Sequence, residues 1–194
     1  LVSDGNVHSH VNHLHAMIER AATDGVQRLR VHALTDGRDV GAHSALSYLK
    51  PLEALLSSQP GDFAVGSGGG RMHMTMDRYE ADWAMVQRGW RAHVEGEGRR
   101  FPSACSAVEQ LYAEDESIDD QYLPGFIVND YAGMDDGDSV ILFNFRGDRA
   151  VQICEAFTKA SFNHFEKERN PKIFFAGMMQ YDGDLQIPPN FLVE

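Results

Sequence analysis

Four apolar, strand-like runs in this chain each give way to a turn or helix rich in arginine, glycine or acid. The junctions are Val7-His8-Ser9-His10, Asp36-Gly37-Arg38-Asp39, Gly70-Arg71 through Met76-Asp77-Arg78, and Asn144-Phe145-Arg146-Gly147-Asp148-Arg149. Helical patterns separate them. Strands that alternate with helices pack as a mainly parallel sheet covered on both faces, so the expected fold is α/β with three layers. In an open sheet of that kind the carboxyl ends of the strands point into one crevice, where ligands bind. Arg38, Arg71, Arg78, Arg146 and Arg149 would then meet in one place.

The periodicity fixes most elements. Val11, Leu14, Ile18 and Ala21 recur at helical spacing between His10 and Asp24, and Gly25 supplies a stop. Leu29 to Leu34 reads as a strand. Ser44 to Ser58 reads as a helix with Leu46, Leu49, Leu52 and Leu56 on one face, and Pro51 is expected to kink it or delay its start. Phe63-Ala64-Val65 predicts a short strand, and Gly66 to Gly70 a loop of high backbone freedom. A third helix over about Tyr79 to Val94 would align Tyr79, Trp83, Val86 and Trp90. Ser103 to Glu114 and Arg149 to Thr158 are helical. Phe126–Val128 and Ser139–Phe145 are expected to pair as a hairpin, and Lys172 to Met178 is a last strand. The acids Glu114 to Glu116, Asp119 and Asp120 read as a solvated surface run.

Length and charge narrow the function. With 194 residues the chain fits one domain with a sizeable core. Its formal net charge of -12 argues against a general nucleic-acid or membrane-surface binder. No apolar run approaches the roughly 20 residues of a membrane span. The two cysteines, Cys105 and Cys154, have no CxxC partner and read as buried free thiols of a reducing, cytoplasmic setting. The first residues look like the end of a strand entering a glycine turn, so a fragment of a longer protein is expected. Ile187 onward reads as a linker, dividing the chain into a domain over residues 1–186 and a connecting segment over 187–194.

Five arginines clustered on an acidic protein suit a small, multiply anionic ligand. A guanidinium is planar and permanently charged, and holds two oxygens of a phosphate or carboxylate at once. The glycine run before Arg71 lacks the Lys-Ser/Thr ending of a P-loop, which argues against nucleoside triphosphates. Two other chemistries stay open. His8 and His10 form an HxH pair of the kind that metal-dependent hydrolases carry, although a zinc site needs three protein ligands and no HExxH or CxxC completes one. A non-catalytic anion-binding module is the other. His13 and His15 belong to the first helix and need no ligand to explain them.

In this order and spacing the segments resemble the cofactor-independent phosphoglycerate mutases. The resemblance is carried by LVSDGNVHSH (1–10), HALTDGRD (32–39), GRMHMTMDRY (70–79), HVEGEG (93–98) and ILFNFRGDRAVQI (141–153), and it covers nearly the whole chain. It implies the inserted phosphotransferase domain of a two-domain protein that interconverts 3-phosphoglycerate and 2-phosphoglycerate through a phosphoserine intermediate. It also implies a substrate site of His8, Arg38, Asp39, Arg71, Arg78, Arg146 and Arg149. Arg71, Arg78 and Arg146 would grip the glycerate carboxylate and neighbouring oxygens, and Arg149 would face the phosphoryl group. Asp39 would be the general acid or base with His8 in support, and Arg38 beside it would supply the adjacent positive charge.

The departures define what this chain lacks. Arg71 and Arg78 stand seven apart, one more than in some members. The family's Asn-Ser-Glu nucleophile, its aspartate and histidine ligands for two manganese or magnesium ions, and its catalytic lysine are absent. The resemblance therefore implies a chain that binds phosphoglycerate, contains no metal site, acts with a phosphatase-like domain and turns nothing over alone. A monomer without nucleic-acid or membrane partners is expected.

Overall fold

The structure, a computed structural model, describes residues 1–193. Helix α1 (Val11–Thr23) begins at His10, whose ring nitrogen accepts from the Asn12 N–H, and buries Val11, Leu14 and Ile18. Strand β1 (Arg28–Thr35) follows, then helix α2 (Ala45–Ser57) and strand β2 (Asp62–Gly70). Pro51 lies inside α2, and the expected late start does not occur. Its face of Leu49, Leu52 and Leu56 is almost completely buried, each leucine contributing roughly 1.5–3 kcal/mol.

The glycine run is where the sequence reading departs most from the fold. Gly66 to Gly70 form no loop; they are the second half of β2, where Gly66 is skipped at a register shift and Ser67 to Gly70 pair in parallel with His32 to Thr35 of β1. Crowding explains their composition. A Cβ on Gly70 would stand 2.2 Å from the Gln121 carbonyl oxygen, so any side chain there would collide with backbone. Glycine serves here for close approach rather than for freedom.

Helix α3 (Trp83–Trp90) continues into a π-helical turn over Arg91–Glu95. Tyr79 lies outside it, exposed and with positive φ, so the expected four-residue stripe reduces to residues within α3. Strand β3 (Arg99–Phe101), helix α4 (Ala104–Glu114) with a Ser103 capping box, a 3-10 turn (Asp120–Tyr122) and strand β4 (Phe126–Val128) complete a four-stranded sheet of order β1-β2-β4-β3. Only the β2–β4 pairing is antiparallel. The expected hairpin is absent, because β4 pairs with β2 and β3. Strand β5 (Ser139–Leu142) instead pairs in parallel with β6 (Phe174–Gly177), with helix α5 (Val151–Thr158) between them in sequence.

Both faces of the larger sheet are covered. Val31, Ala33, Phe63, Val65, Phe126 and Val128 join the apolar faces of α1, α2 and α4 in one cluster. The alternate residues Leu34 and Ile127 pack on the other side with Met74, Met76 and Ala92. Strict alternation along β1 and β4 thus builds two cores from one sheet. The β1 and β5 edges line a shared cavity of about 690 Å³.

Asp120 is a further correction. It is fully buried, accepts from the Ser44 and Ala45 backbone N–H groups at 2.8 Å each and from the Tyr112 hydroxyl, and so caps α2 rather than facing water. At the other end, Ile187 is buried, and the Leu192 and Val193 N–H groups donate to the Gly177 and Met178 carbonyls. The segment expected to be a linker therefore runs along β6 as far as described; Glu194 lies outside the described residues. No described helix is long and apolar enough to cross a membrane.

Candidate anion-binding site

The carboxyl ends of β1 and β2 lie side by side, which sets Asp36 beside Arg71. Asp36 Oδ1 takes Arg71 Nη1 at 2.7 Å and the Asp39 N–H at 3.1 Å, while Oδ2 takes the Ser3 hydroxyl at 2.6 Å. The same Nη1 lies 2.5 Å from Asp39 Oδ2. Arg71 is only 1% exposed, so a full positive charge sits inside the protein between two carboxylates. Burial by itself would raise the Asp36 carboxyl. The hydrogen bonds from Ser3, Asp39 and Arg71 outweigh it and leave the pKa lowered. The cation against Asp39 is thus Arg71, where the sequence pointed to Arg38; Arg38 is exposed.

Asp148 forms the second hub. His8 Nδ1 and Arg78 Nε each lie 3.5 Å from its carboxylate, and Arg146 Nε lies 2.9 Å away. The sequence reading named the arginines around Asp148 and overlooked the acid that gathers them. Arg146 caps and Arg149 closes a 3-10 turn (Gly147–Arg149) ahead of α5, and they do not share a hydrogen-bond partner. Arg149 Nη1 donates to the Met76 carbonyl at 2.9 Å.

The hubs form one electrostatic neighbourhood. His8 is pushed down to about 4, first by burial and then by Arg71, with Asp148, Arg146 and Asp39 also acting on it. Arg149 is lowered by burial, then by Arg71, with Arg78 and Arg38 adding like charge. The charges of the two hubs thus act on one another. Arg71 pairs with Asp36 and Asp39, and Arg78 and Arg146 lie against Asp148, so arginines and carboxylates are concentrated together on an acidic chain.

The cluster also has unspent hydrogen-bonding capacity. Among the described residues, His8 Nδ1, Arg71 Nε, Arg78 Nε and Asp148 Oδ1 are buried without a hydrogen-bond partner, since the contacts to Asp148 are close but poorly aligned. Four such atoms in one place are unusual in a folded protein and fit a site that completes its bonding with a ligand. A hydrolytic metal centre fares worse. His10 is spent on capping α1, and no group of three His, Cys, Asp or Glu side chains among the described residues is placed to hold an ion.

The arginines and acids of these two hubs lie in the segments that carry the mutase-like motifs. Residues 1–183 match the family described as BPG-independent PGAM N-terminus. The chain belongs to that family. A probable 2,3-bisphosphoglycerate-independent phosphoglycerate mutase of Leptospira interrogans is 52% identical over 200 residues, across 100% of this chain and 36% of the relative. The 2,3-bisphosphoglycerate-independent phosphoglycerate mutase of Trypanosoma brucei brucei is 49% identical over 201 residues, again across 100% and 36%. A crystal structure of Leishmania mexicana phosphoglycerate mutase at low cobalt concentration superposes with a TM-score of 0.97 at 50% identity, covering 99% of this chain and 36% of that one. The chain thus spans about a third of the length of these relatives and corresponds to the N-terminal part that the family describes.

Proposed function

We propose that this chain is the substrate-holding phosphotransferase part of a phosphoglycerate mutase, which interconverts 3-phosphoglycerate and 2-phosphoglycerate in glycolysis and gluconeogenesis. In this reading the transfer passes through a phosphoserine, and the serine, a lysine and two manganese or magnesium ions belong to a phosphatase-like domain beyond these residues. The observation that carries it is the clustering of Arg71, Arg78 and Arg146 on Asp36, Asp39 and Asp148, with Arg149 beside them and buried polar atoms left unpaired. A phosphoglycerate brings a phosphate and a carboxylate, two anionic groups of the kind that guanidinium groups hold.

The roles are those the family resemblance implies, and the geometry is compatible with them. Arg78 and Arg146 are partly exposed and share only Asp148, so they can turn to the glycerate carboxylate and its neighbouring oxygens. Arg71 keeps Nη1 on Asp36 and Asp39, and its unpartnered Nε is what it offers a ligand. Arg149 faces the phosphoryl group, where a fixed cation stabilises developing charge. Asp39 has Oδ2 anchored by Arg71, which leaves Oδ1 to exchange a proton with a glycerate hydroxyl. His8, neutral near pH 7, supports that exchange because one ring nitrogen donates and the other accepts. In this reading the protein is a monomer of the cytoplasm, a reducing setting with which free thiols at Cys105 and Cys154 are compatible.

Titration of the chain with each phosphoglycerate, with glycerate and with inorganic phosphate tests the reading. Saturable binding of both phosphoglycerates, several-fold tighter than either fragment, is expected. Equal binding of every phosphate-bearing ligand would favour a general anion module instead.

A further inference from the structure

A buried chain of polar side chains runs beneath the segment that carries Arg71 and Arg78. Ser67 Oγ, on β2, lies 2.8 Å from His32 Nδ1 on β1 and 2.7 Å from His93 Nδ1 in the π-helical turn. His93 Nε2 in turn lies 2.8 Å from Thr75 Oγ1. Ser67, His93 and Thr75 are buried, and His32 is half-buried at the cavity wall. A hydroxyl has one proton, so Ser67 donates to one ring and accepts from the other, which orders the whole chain in a single direction. Both imidazoles are held neutral, chiefly by burial.

Thr75 is the residue this chain restrains. Its φ of 69° places a β-branched side chain in the left-handed region, a backbone state that persists only when its surroundings enforce it. Three contacts do so here. The Thr75 N–H donates to the Met85 carbonyl at 3.0 Å, and its hydroxyl meets His93. Helix α3 presses on it so closely that a Cβ on Gly89 would stand 2.1 Å from Thr75 Oγ1. The next residue is Met76, whose carbonyl accepts from Arg149. Thr75 therefore sits at the junction of three site arginines.

We propose that His93 and Thr75, backed by Ser67, are positioning residues that clamp the strained turn and thereby set the directions of Arg71, Arg78 and Arg149. The proposal rests on reading the crevice as the substrate site. Release of the Thr75 hydroxyl lets the backbone relax towards negative φ, which carries the Met76 carbonyl away from Arg149 and turns Arg78. The number of charges stays the same; their aim changes.

The test uses the 194-residue chain with Thr75→Val, which keeps the shape without the hydroxyl, and Thr75→Ser, which keeps the hydroxyl. Backbone hydrogen exchange and 3-phosphoglycerate titration are read on each. Thr75→Val is expected to speed exchange over residues 72–78 and to weaken binding about tenfold, the loss of one well-aimed polar contact, with β1 and α4 unchanged. Thr75→Ser is expected to match the parent in both. Unchanged exchange and affinity in Thr75→Val, or an equal loss in Thr75→Ser, would overturn the clamp. A parent chain that binds no phosphoglycerate would count against the substrate site, while exchange over 72–78 would still decide the clamp. Should Thr75→Val lose protection in β1 and α4 as well, Ser67→Ala breaks the same chain one link away and is held to the same outcomes.

Discussion

At the scale of single residues, charge placed inside the protein governs the behaviour. Arg71 is buried against Asp36 and Asp39, so Arg71→Ala strands two carboxylates in a poorly solvated place. Removing one partner of such a group costs about 3–5 kcal/mol, and a urea melt should show a correspondingly lower midpoint. An unchanged midpoint would mean that the pairing contributes nothing. The histidines set a pH dependence. His8 and His32 are lowered from 6.5 to about 4 and His93 is lowered well below 6.5, burial being the first cause for each. Above pH 6.5 both the folded and unfolded states leave these rings neutral, and the stability is fully present. As the pH falls from 6.5 towards 4, the unfolded chain takes up protons that the folded one refuses, and stability is lost. Each ring contributes about 1 kcal/mol per pH unit in that window. Urea midpoints at pH 7.5 and pH 5 should differ clearly, and equal midpoints would show that the rings are solvated.

At the scale of elements, the helices were legible and the crowded strand was not. Apolar spacing marked α1, α2 and α4 to within a residue or two, because each buries one stripe against the sheet. Gly66 to Gly70 misled because glycine carries the same signature whether it frees a loop or admits a neighbour, and only the fold shows Gln121 against Gly70. Gly70→Ala is accordingly expected to cost upwards of 1–3 kcal/mol, the usual range for overpacking, since the collision is with backbone. A thermal melt in which Gly70→Ala matches the parent would refute the crowding argument. The β4–β5 hairpin was misplaced for a related reason: a turn signal such as Asp135 to Asp138 marks a reversal without naming the partner strand. Asp120, read as one more surface acid, proved to be the buried cap of α2, a role that depends on a contact 75 positions away in sequence.

At the scale of the whole molecule, the arginines named from sequence lie in motifs at strand ends, and Arg71, Arg78 and Arg146 meet acids there. The sequence reading missed what organises the crevice. Asp36 and Asp148 were visible inside those motifs, yet their work as hubs depends on β1 meeting β2 and on the first loop meeting the 3-10 turn. Thr75 and His93 were visible inside the family motifs, but their link through Ser67 depends on β2 meeting the π-helical turn and could not be read from the motifs alone. The account stands on the arginine crevice holding a phosphoglycerate. The most direct measurement is calorimetric titration of the folded chain with 3-phosphoglycerate, at low and high salt, beside an Arg146→Ala, Arg149→Ala double variant. Saturable binding that weakens with salt and disappears in the double variant is the predicted result. Binding that the double variant retains at full strength would contradict the assignment of the site.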